Sequence, residues 1–319
     1  HILININYKL IMNINYFKDS DDKSNNPKIS IGLPVYNGEA FIDLTLDSIL
    51  SQSFEDFELI ISDNASTDTT EKICREYAAK DKRVKYIRQK ENLGGVYNFK
   101  YVLDKSVGKY FMWIAADDLL GNKEYLNIIN NEISDKYDYY FTEVSTVNNL
   151  GEVIEPLVMD SFKNCKTQLD FLAASLSNNA MQLYSLFLKE NLIKDWRYIE
   201  ICRNLSTCNE GLFVHAINAT RKGKFLNKAI KLFRSHKNSW SMNVAIRKII
   251  VSQVIYTLRS IHLIMTFKHF SFLDRIFFSI KKFYLTFKAL SYFTLYALGR
   301  SLGLDKIFYL KKIIRKIRK

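Results

Sequence analysis

The sequence predicts an α/β fold: a mostly parallel sheet flanked by helices, with a basic helical C-terminal tail. From Lys28 to Ala115, short apolar runs alternate with segments of helical period. That rhythm belongs to parallel strands joined by right-handed crossovers. Charge sets the tail apart. Residues 1–241 carry 30 basic and 31 acidic side chains, whereas 242–319 carry 16 and 2. The formal net charge of +13 therefore resides in the last quarter of the chain. With 319 residues, 48% of them hydrophobic, the chain has ample material for a core and is too apolar for wholesale disorder.

Three regions follow. Residues 1–27 form an extension and linker ending in the polar run Asp19–Pro27, 28–240 form the α/β domain, and 241–319 form the basic aromatic region. In the domain, Lys28–Val35, Phe57–Ser62, Val84–Arg88 and Tyr110–Ala115 read as strands. Glu39–Ser51, Thr69–Lys80 and Gly95–Lys105 read as the helices between them. The rhythm changes after Asp118. Tyr137–Val144 and Val153–Leu157 read as strands around the turn Asn148–Gly151. A helix is expected over Lys166–Leu176, a strand over Ala180–Leu188, a helix over Cys208–Ala219 and a strand over Phe225–Arg234. Helical patterns then run to the end.

The four cysteines (Cys74, Cys165, Cys202, Cys208) form no paired motif, so neither a zinc nor a redox site is expected. A reducing, cytoplasmic setting is the simpler expectation. Residues 1–17 lack the continuous apolar core of a signal peptide. No run reaches the roughly 18 apolar residues of a spanning helix.

Four stretches at predicted strand ends could carry chemistry. Tyr110–Ala115 is an aromatic-rich strand that ends in Asp117 and Asp118, at the rim where open α/β sheets place ligands. The plainer reading is that Asp118 caps a following helix. Leu33–Glu39 contains Pro34, which ends a ladder, and Asn37-Gly38, which makes a turn. Its exposed amides and the Tyr36 ring suit a nucleotide, or it is an ordinary strand-to-helix turn. Ser62–Asp68 places Asp63 at the same edge, able to accept from a base or ribose hydroxyl, while Asp68 reads as a helix cap. Asn92–Asn98, with Gly94 and Gly95, permits close backbone approach or simply opens a helix.

Together, Ile31-Gly-Leu-Pro-Val-Tyr-Asn-Gly-Glu39, Ser62-Asp-Asn-Ala-Ser-Thr-Asp68, Asn92-Leu-Gly-Gly95 and Ala115-Ala-Asp-Asp118 resemble the family 2 glycosyltransferases of the GT-A fold. The likeness is strong over residues 28–120 and weaker to about 240. It implies that 28–120 is the nucleotide-sugar half, 121–240 the acceptor half, and the reaction inverting. It implies that Pro34, Tyr36, Asn37, Glu39 and Asp63 hold the base, with Asn92, Gly94, Asn98, Asp118 and Arg234 also on the donor. Asp117 matches the acid that ligates a divalent cation, Mn²⁺ or Mg²⁺, on the diphosphate. The first acid of that motif is replaced by Ala115.

The chemistry explains these parts. A departing diphosphate needs a hard cation on carboxylate oxygens, and the acceptor hydroxyl needs a carboxylate base. Glu210, in Thr207-Cys-Asn-Glu210, is similar to the family's acidic pair. It also completes a capping box. Asp195, in what reads as a surface turn, is the reserve candidate. Phe233–Ser239 resembles a late Arg-x-His element, which implies His236 as a metal or diphosphate contact; a lone His is equally a structural residue.

In the tail, Phe277, Phe278, Phe283, Phe287 and Tyr292 interleave with Lys281, Lys282 and Lys288. Basic aromatic helices suit an anionic membrane surface or pack on the core or on a second copy. Nucleic acid is not expected, because no nucleic-acid module appears. The resemblance implies an inverting transferase that moves a sugar from a nucleotide donor, UDP-linked by family habit with thymine or guanine as the other bases, to a glycan or lipid-linked glycan. Its setting is bacterial surface polysaccharide assembly, peripheral on the inner membrane face. The alternative is a catalytically weak relative that binds nucleotide sugar or membrane. A nucleotidyltransferase would want a Gly-rich loop with a following basic residue, which Pro34–Gly38 does not supply.

Overall fold

A computed structural model describes residues 26–157, 160–176, 181–200, 209–235 and 257–301. The first half follows the predicted alternation: β1 (Ile29–Val35), α1 (Ile42–Leu50), β2 (Phe57–Asp63), α2 (Thr70–Lys80), β3 (Val84–Arg88), α3 (Gly95–Lys105) and β4 (Tyr110–Trp113). β5 (Leu119–Leu120), α4 (Tyr125–Glu132), β6 (Tyr139–Val147) and β7 (Val153–Leu157) follow. Next come α5 (Asp160–Lys163), α6 (Gln168–Ser175), β8 (Leu186–Leu188), α7 (Lys189–Asp195), α8 (Arg197–Glu200), α9 (Asn209–Thr220) and β9 (Gly223–Arg234). The tail adds α10 (257–266) and α11 (Phe272–Ser301).

One mixed sheet has the order β3-β2-β1-β4-β8-β6-β9-β5, with β7 on β6. β3, β2, β1 and β4 are mutually parallel. β8 enters antiparallel between β4 and β6. Strand β4 shows why its sequence is apolar throughout. Tyr110, Met112 and Ile114 enter one core with α1, α2 and α4, while Phe111 and Trp113 enter the other with α3 and α9. A strand covered on both faces has no position for a polar side chain.

Pro34 does not end β1; the strand runs to Val35, paired with Asp63. It ends the ladder on one side only. Gly32 O accepts from Ile114 N (3.0 Å) on the β4 side, and Pro34, two residues on, has no N–H to continue there. The sheet opens at that point.

Several boundaries differ from expectation. α1 starts at Ile42, because residues 36–41 form a loop. The stretch expected as one strand over Ala180–Leu188 is a 3₁₀ turn, Met181–Tyr184, followed by a three-residue strand. Gln182 is committed to that turn: its carbonyl takes the Ser185 hydroxyl (2.7 Å) and its amide oxygen takes Asn218 Nδ2 (2.8 Å). Asp118 caps no helix. It leads into β5, and α4 begins only at Tyr125. α4 carries just three buried apolar residues, Tyr125, Leu126 and Ile129, too few for a clear period. The tail packs on the domain through Ile264, Phe267, Phe270 and Phe278, against Leu172, Leu176, Ala216 and Ala219.

Candidate active site

The carboxyl ends of β1–β4 gather the four sequence motifs into one crevice. It lies where the crossovers reverse direction between β1 and β4, the place at which such sheets bind ligands. The loop after β1 and the loop after β2 are laced together. Asn37 N donates to Ser66 Oγ (2.9 Å), Gly38 N to Thr70 Oγ1 (2.8 Å) and Glu39 N to Asp68 Oδ2 (3.1 Å). In return Thr67 N donates to Asn37 Oδ1 (2.8 Å) and Thr69 N to Glu39 Oε2 (3.0 Å). Asn37 adopts the left-handed region (φ 52°), which a short side-chain amide tolerates. Asn37 and Glu39 are thus structural clips between loops, with their side-chain oxygens already accepting bonds. Tyr36 is left outside them, 49% exposed.

Asp63 stands at the end of β2 as expected but is fully buried. Its Oδ1 accepts from Ser66 N (2.8 Å), and its Oδ2 from Tyr86 Oη (2.8 Å) and Arg88 Nη1 (3.1 Å). The solvent-facing group here is Arg88, which also donates to Ser66 O (3.0 Å). Sequence reasoning overlooked Arg88 and Tyr86. Arg88 ends β3 beside Asp63 in register, and Tyr86 lies two residues earlier, opposite Ile61.

Asn92 joins the third loop to the second, its Oδ1 accepting from Asn64 Nδ2 (2.8 Å) and Gly94 N (3.0 Å). Gly94 (φ 87°) makes the left-handed entry to α3, which glycine allows without strain. Asn98, expected on the donor, is engaged with the strand ends. It is 2% exposed, and its amide spans Ser62 Oγ (2.5 Å), Ser62 O (2.8 Å) and Val35 O (3.4 Å). It supplies a donor to the Ser62 carbonyl at the strand end and a second, longer one to Val35 O, which also accepts from Asn64 N (2.8 Å).

The fourth loop, 114–118, closes the crevice. Thr45 Oγ1 donates to Ala116 O (2.9 Å). A Cβ on Gly38 would stand 2.7 Å from Val35 Cγ2, too close without a shift of that side chain, and 3.4 Å from Ala116 Cβ, at ordinary contact across to the fourth loop. Asp117 is half-buried at the rim, and Asp118 is 3% exposed. Asp118 Oδ1 accepts from Arg234 N (3.1 Å), while Oδ2 has no partner among the described residues. Burial, with the Asp117 charge beside it, pushes the Asp118 carboxyl up to about 8.

Beneath the two acids lies a cation that the sequence reading did not single out. Lys231 is 2% exposed. Its Nζ donates to Trp113 O (2.9 Å) and sits over the Tyr184 ring (4.8 Å). Burial pushes its ammonium down to about 7, against the pull of Asp118. A β-bulge delivers it. β9 pairs with β6 through Leu226, resumes at Ile230, and then runs between β6 and β5, with Leu120 opposite Lys231. The signal in sequence was a lysine two residues after the inward Ala229.

Arg234 is 5% exposed. Its Nε donates to Asp117 O (3.0 Å), and its Nη1 to Asn148 O (2.8 Å) and Asn149 O (2.7 Å). The guanidinium lies over Phe41 (4.6 Å). Its role here is to pin the acidic turn to the β6–β7 turn. Asp195 is not in a surface turn: it ends α7, is 2% exposed, and is held by Arg221 Nε (2.7 Å). Its carboxylate is paired, which removes it as a base. Glu210 is the second residue of α9. Its side chain, and all of His236, lie outside the described residues. No group of three or more His, Cys, Asp or Glu able to share a metal occurs among the described residues.

Residues 30–163 match the sequence profile of glycosyl transferase family 2. Two uncharacterised glycosyltransferases of Haemophilus influenzae are 31% and 27% identical over 182 and 188 residues, 56% and 55% of this chain. The chain spans 68% and 55% of their respective lengths. A Campylobacter jejuni enzyme described as GalNAc(5)-diNAcBac-PP-undecaprenol beta-1,3-glucosyltransferase is 25% identical over 65% of each chain. Among solved structures, S. aureus TarS 1-349 in complex with UDP-GlcNAc aligns with a TM-score of 0.65 and 18% identity, over 82% of this chain and 72% of that one. The mannosyltransferase PcManGT of Pyrobaculum calidifontis, in complex with GDP-Man and Mn²⁺, aligns at 0.53 and 15%, over 99% of this chain and 91% of that one. At such identities the structural likeness establishes the GT-A fold. With the profile match and a 31% identical relative covered over two thirds of its length, the chain belongs to glycosyl transferase family 2.

Proposed function

We propose that the chain transfers a sugar, with inversion, from a UDP-linked donor to a hydroxyl of a glycan or lipid-linked glycan. The setting is bacterial surface polysaccharide assembly at the inner membrane face. One observation carries this reading: four loops converge at the carboxyl ends of β1–β4 with Asp117 and Asp118 at their rim. The base lies against Tyr36, and Arg88, ordered by Asp63, faces its polar edge. Pro34, Asn37, Glu39, Asn92 and Gly94 shape this wall through the backbone they fix. Asn98 acts from beneath, on the strand ends.

Asp117 would supply one hard oxygen ligand to a divalent cation such as Mn²⁺ or Mg²⁺. The cation, when bound, offsets the charge that develops on the leaving diphosphate. His236 is a further candidate for that region. Arg234 holds the acidic turn at a fixed height, so that Asp117 meets the donor without rearrangement. Glu210, on the first turn of α9, takes the proton of the acceptor hydroxyl as that oxygen attacks the anomeric carbon.

Incubation with a panel of nucleotide sugars and Mn²⁺ tests the reading. Release of one nucleoside diphosphate is expected, reduced at least about 100-fold in Asp117→Asn, in line with the loss of a charge-stabilising group. Undiminished release in that variant would remove Asp117 from the chemistry. Binding of a donor without turnover, even with lipid-linked acceptors present, would favour a binding protein.

A further inference from the structure

We propose that the outward face of α11 lies in the headgroup–acyl boundary of an anionic lipid bilayer. The proposal rests on the glycolipid side of the function proposed above and names the surface that would meet the lipid. The helix is turned opposite to an ordinary surface helix. Leu273, Phe277, Ile280, Phe283, Tyr284 and Phe287 are each 60–76% exposed. At 100° per residue they share one arc of the helix, and no charged residue falls within it.

The inward face is where the polar groups go. Lys282 is 3% and Thr286 8% exposed, and the Thr286 hydroxyl bonds that of Thr257 (2.6 Å). Arg275 Nη1 donates to Met265 O (2.9 Å). Phe278 is the anchor into the core (5% exposed). A surface helix normally points its apolar stripe at the core. A contiguous aromatic face of this size on a soluble surface marks an interaction site.

Charge selects the occupant. Residues 242–319 carry 16 basic and 2 acidic side chains, and the 18 residues that follow α11 contribute seven of the basic ones. A second copy would bring the same positive charge to the same place. Anionic headgroups bring the opposite sign, and basic residues near them add attraction to apolar insertion. The mode is lying on the surface, since no helix among the described residues is long and apolar enough to cross a membrane.

The test uses the full chain and sedimented vesicles. Vesicles of phosphatidylglycerol and phosphatidylcholine in about equal parts should bind it, and pure phosphatidylcholine much less. The doubly substituted Phe277→Asp/Phe287→Asp protein should lose at least about tenfold in partition coefficient, because both side chains would carry charge into the boundary. Both positions are exposed, so circular dichroism should be unchanged. In a Phe283→Trp protein, vesicles should shift the emission maximum to the blue relative to the same protein without lipid.

Binding that the double substitution leaves intact, or no binding to either vesicle, would overturn the proposal. So would a dimer in sedimentation velocity that the same substitution dissolves. Donor hydrolysis without vesicles reads the transferase function separately. Turnover without lipid binding sinks only this inference, and lipid binding without turnover sinks only the function.

Discussion

Lys231→Met asks whether the buried lysine under the acidic turn is an electrostatic partner or a misplaced polar group. Methionine keeps the apolar stem against Tyr184 and removes the ammonium. Three things then change. Trp113 O loses its donor at 2.9 Å, Asp118 loses the cation that most lowers its carboxyl, and the site, 2% exposed, gives solvent little access to replace either. Leaving the buried Trp113 carbonyl without its donor costs about 1–3 kcal/mol. The high end, about 3 kcal/mol, is expected here, because Asp118 loses the attraction of Lys231 as well. Asp118→Asn alone should also destabilise. The double variant should be more stable than the sum of the two predicts by about 2 kcal/mol, the signature of coupled neighbours. Urea unfolding of all four proteins, with unchanged slopes, measures this. Additivity within about 0.5 kcal/mol would show that Lys231 and Asp118 do not sense each other, and the electrostatic account of the turn would fail.

Other perturbations test the remaining parts. Asn98→Leu removes the amide donor to Ser62 O and the acceptor of the Ser62 hydroxyl, while Val35 O keeps Asn64 N; it should cost about 1–3 kcal/mol in urea unfolding. Gly121→Ala would place a Cβ 2.5 Å from Ile230 O, a backbone atom that cannot swing aside. It should lower the thermal midpoint and reduce donor turnover together, since β5 follows the acidic turn. Burial, with Lys282 nearby, holds the His215 imidazole well below its usual range. The unfolded chain binds a proton near about pH 6.5 that the folded chain refuses, so stability is full above that pH and falls below it by up to about 1.4 kcal/mol per pH unit. A His215→Gln protein should show a shallower fall between about pH 7.5 and about pH 5.5, and equal slopes would remove His215 as the cause.

The half of the fold that was legible in sequence is the half in which local and tertiary demands coincide. β1, β2 and β4 are largely apolar runs because both faces are covered, whereas the edge strand β3 carries the exposed Lys85; each ends in a loop whose residues are named by their turn chemistry. Pro34, Asn37-Gly38 and Gly94 could be placed at strand or helix ends because proline lacks a donor and because glycine and asparagine accept left-handed backbone. The order of motifs along the chain was enough to place Asp63 and Asp117 at one sheet edge.

What each side chain does at that edge was decided by partners distant in sequence. Asn37 and Glu39 reach across about thirty residues to Thr67 and Thr69, and Asn98 reaches back to Val35. Arg234 reads in sequence as the end of a strand and a phosphate ligand. In the fold it meets Asp117 O and Asn148 O, because a bulge in β9 redirects the strand between β5 and β6. Lys231 rides on the same bulge. Hydrogen bonds and buried charges act over a few ångströms in space and have no fixed period along the chain. Periodicity in sequence therefore reports which face of an element is covered, and only the packed structure reports by what.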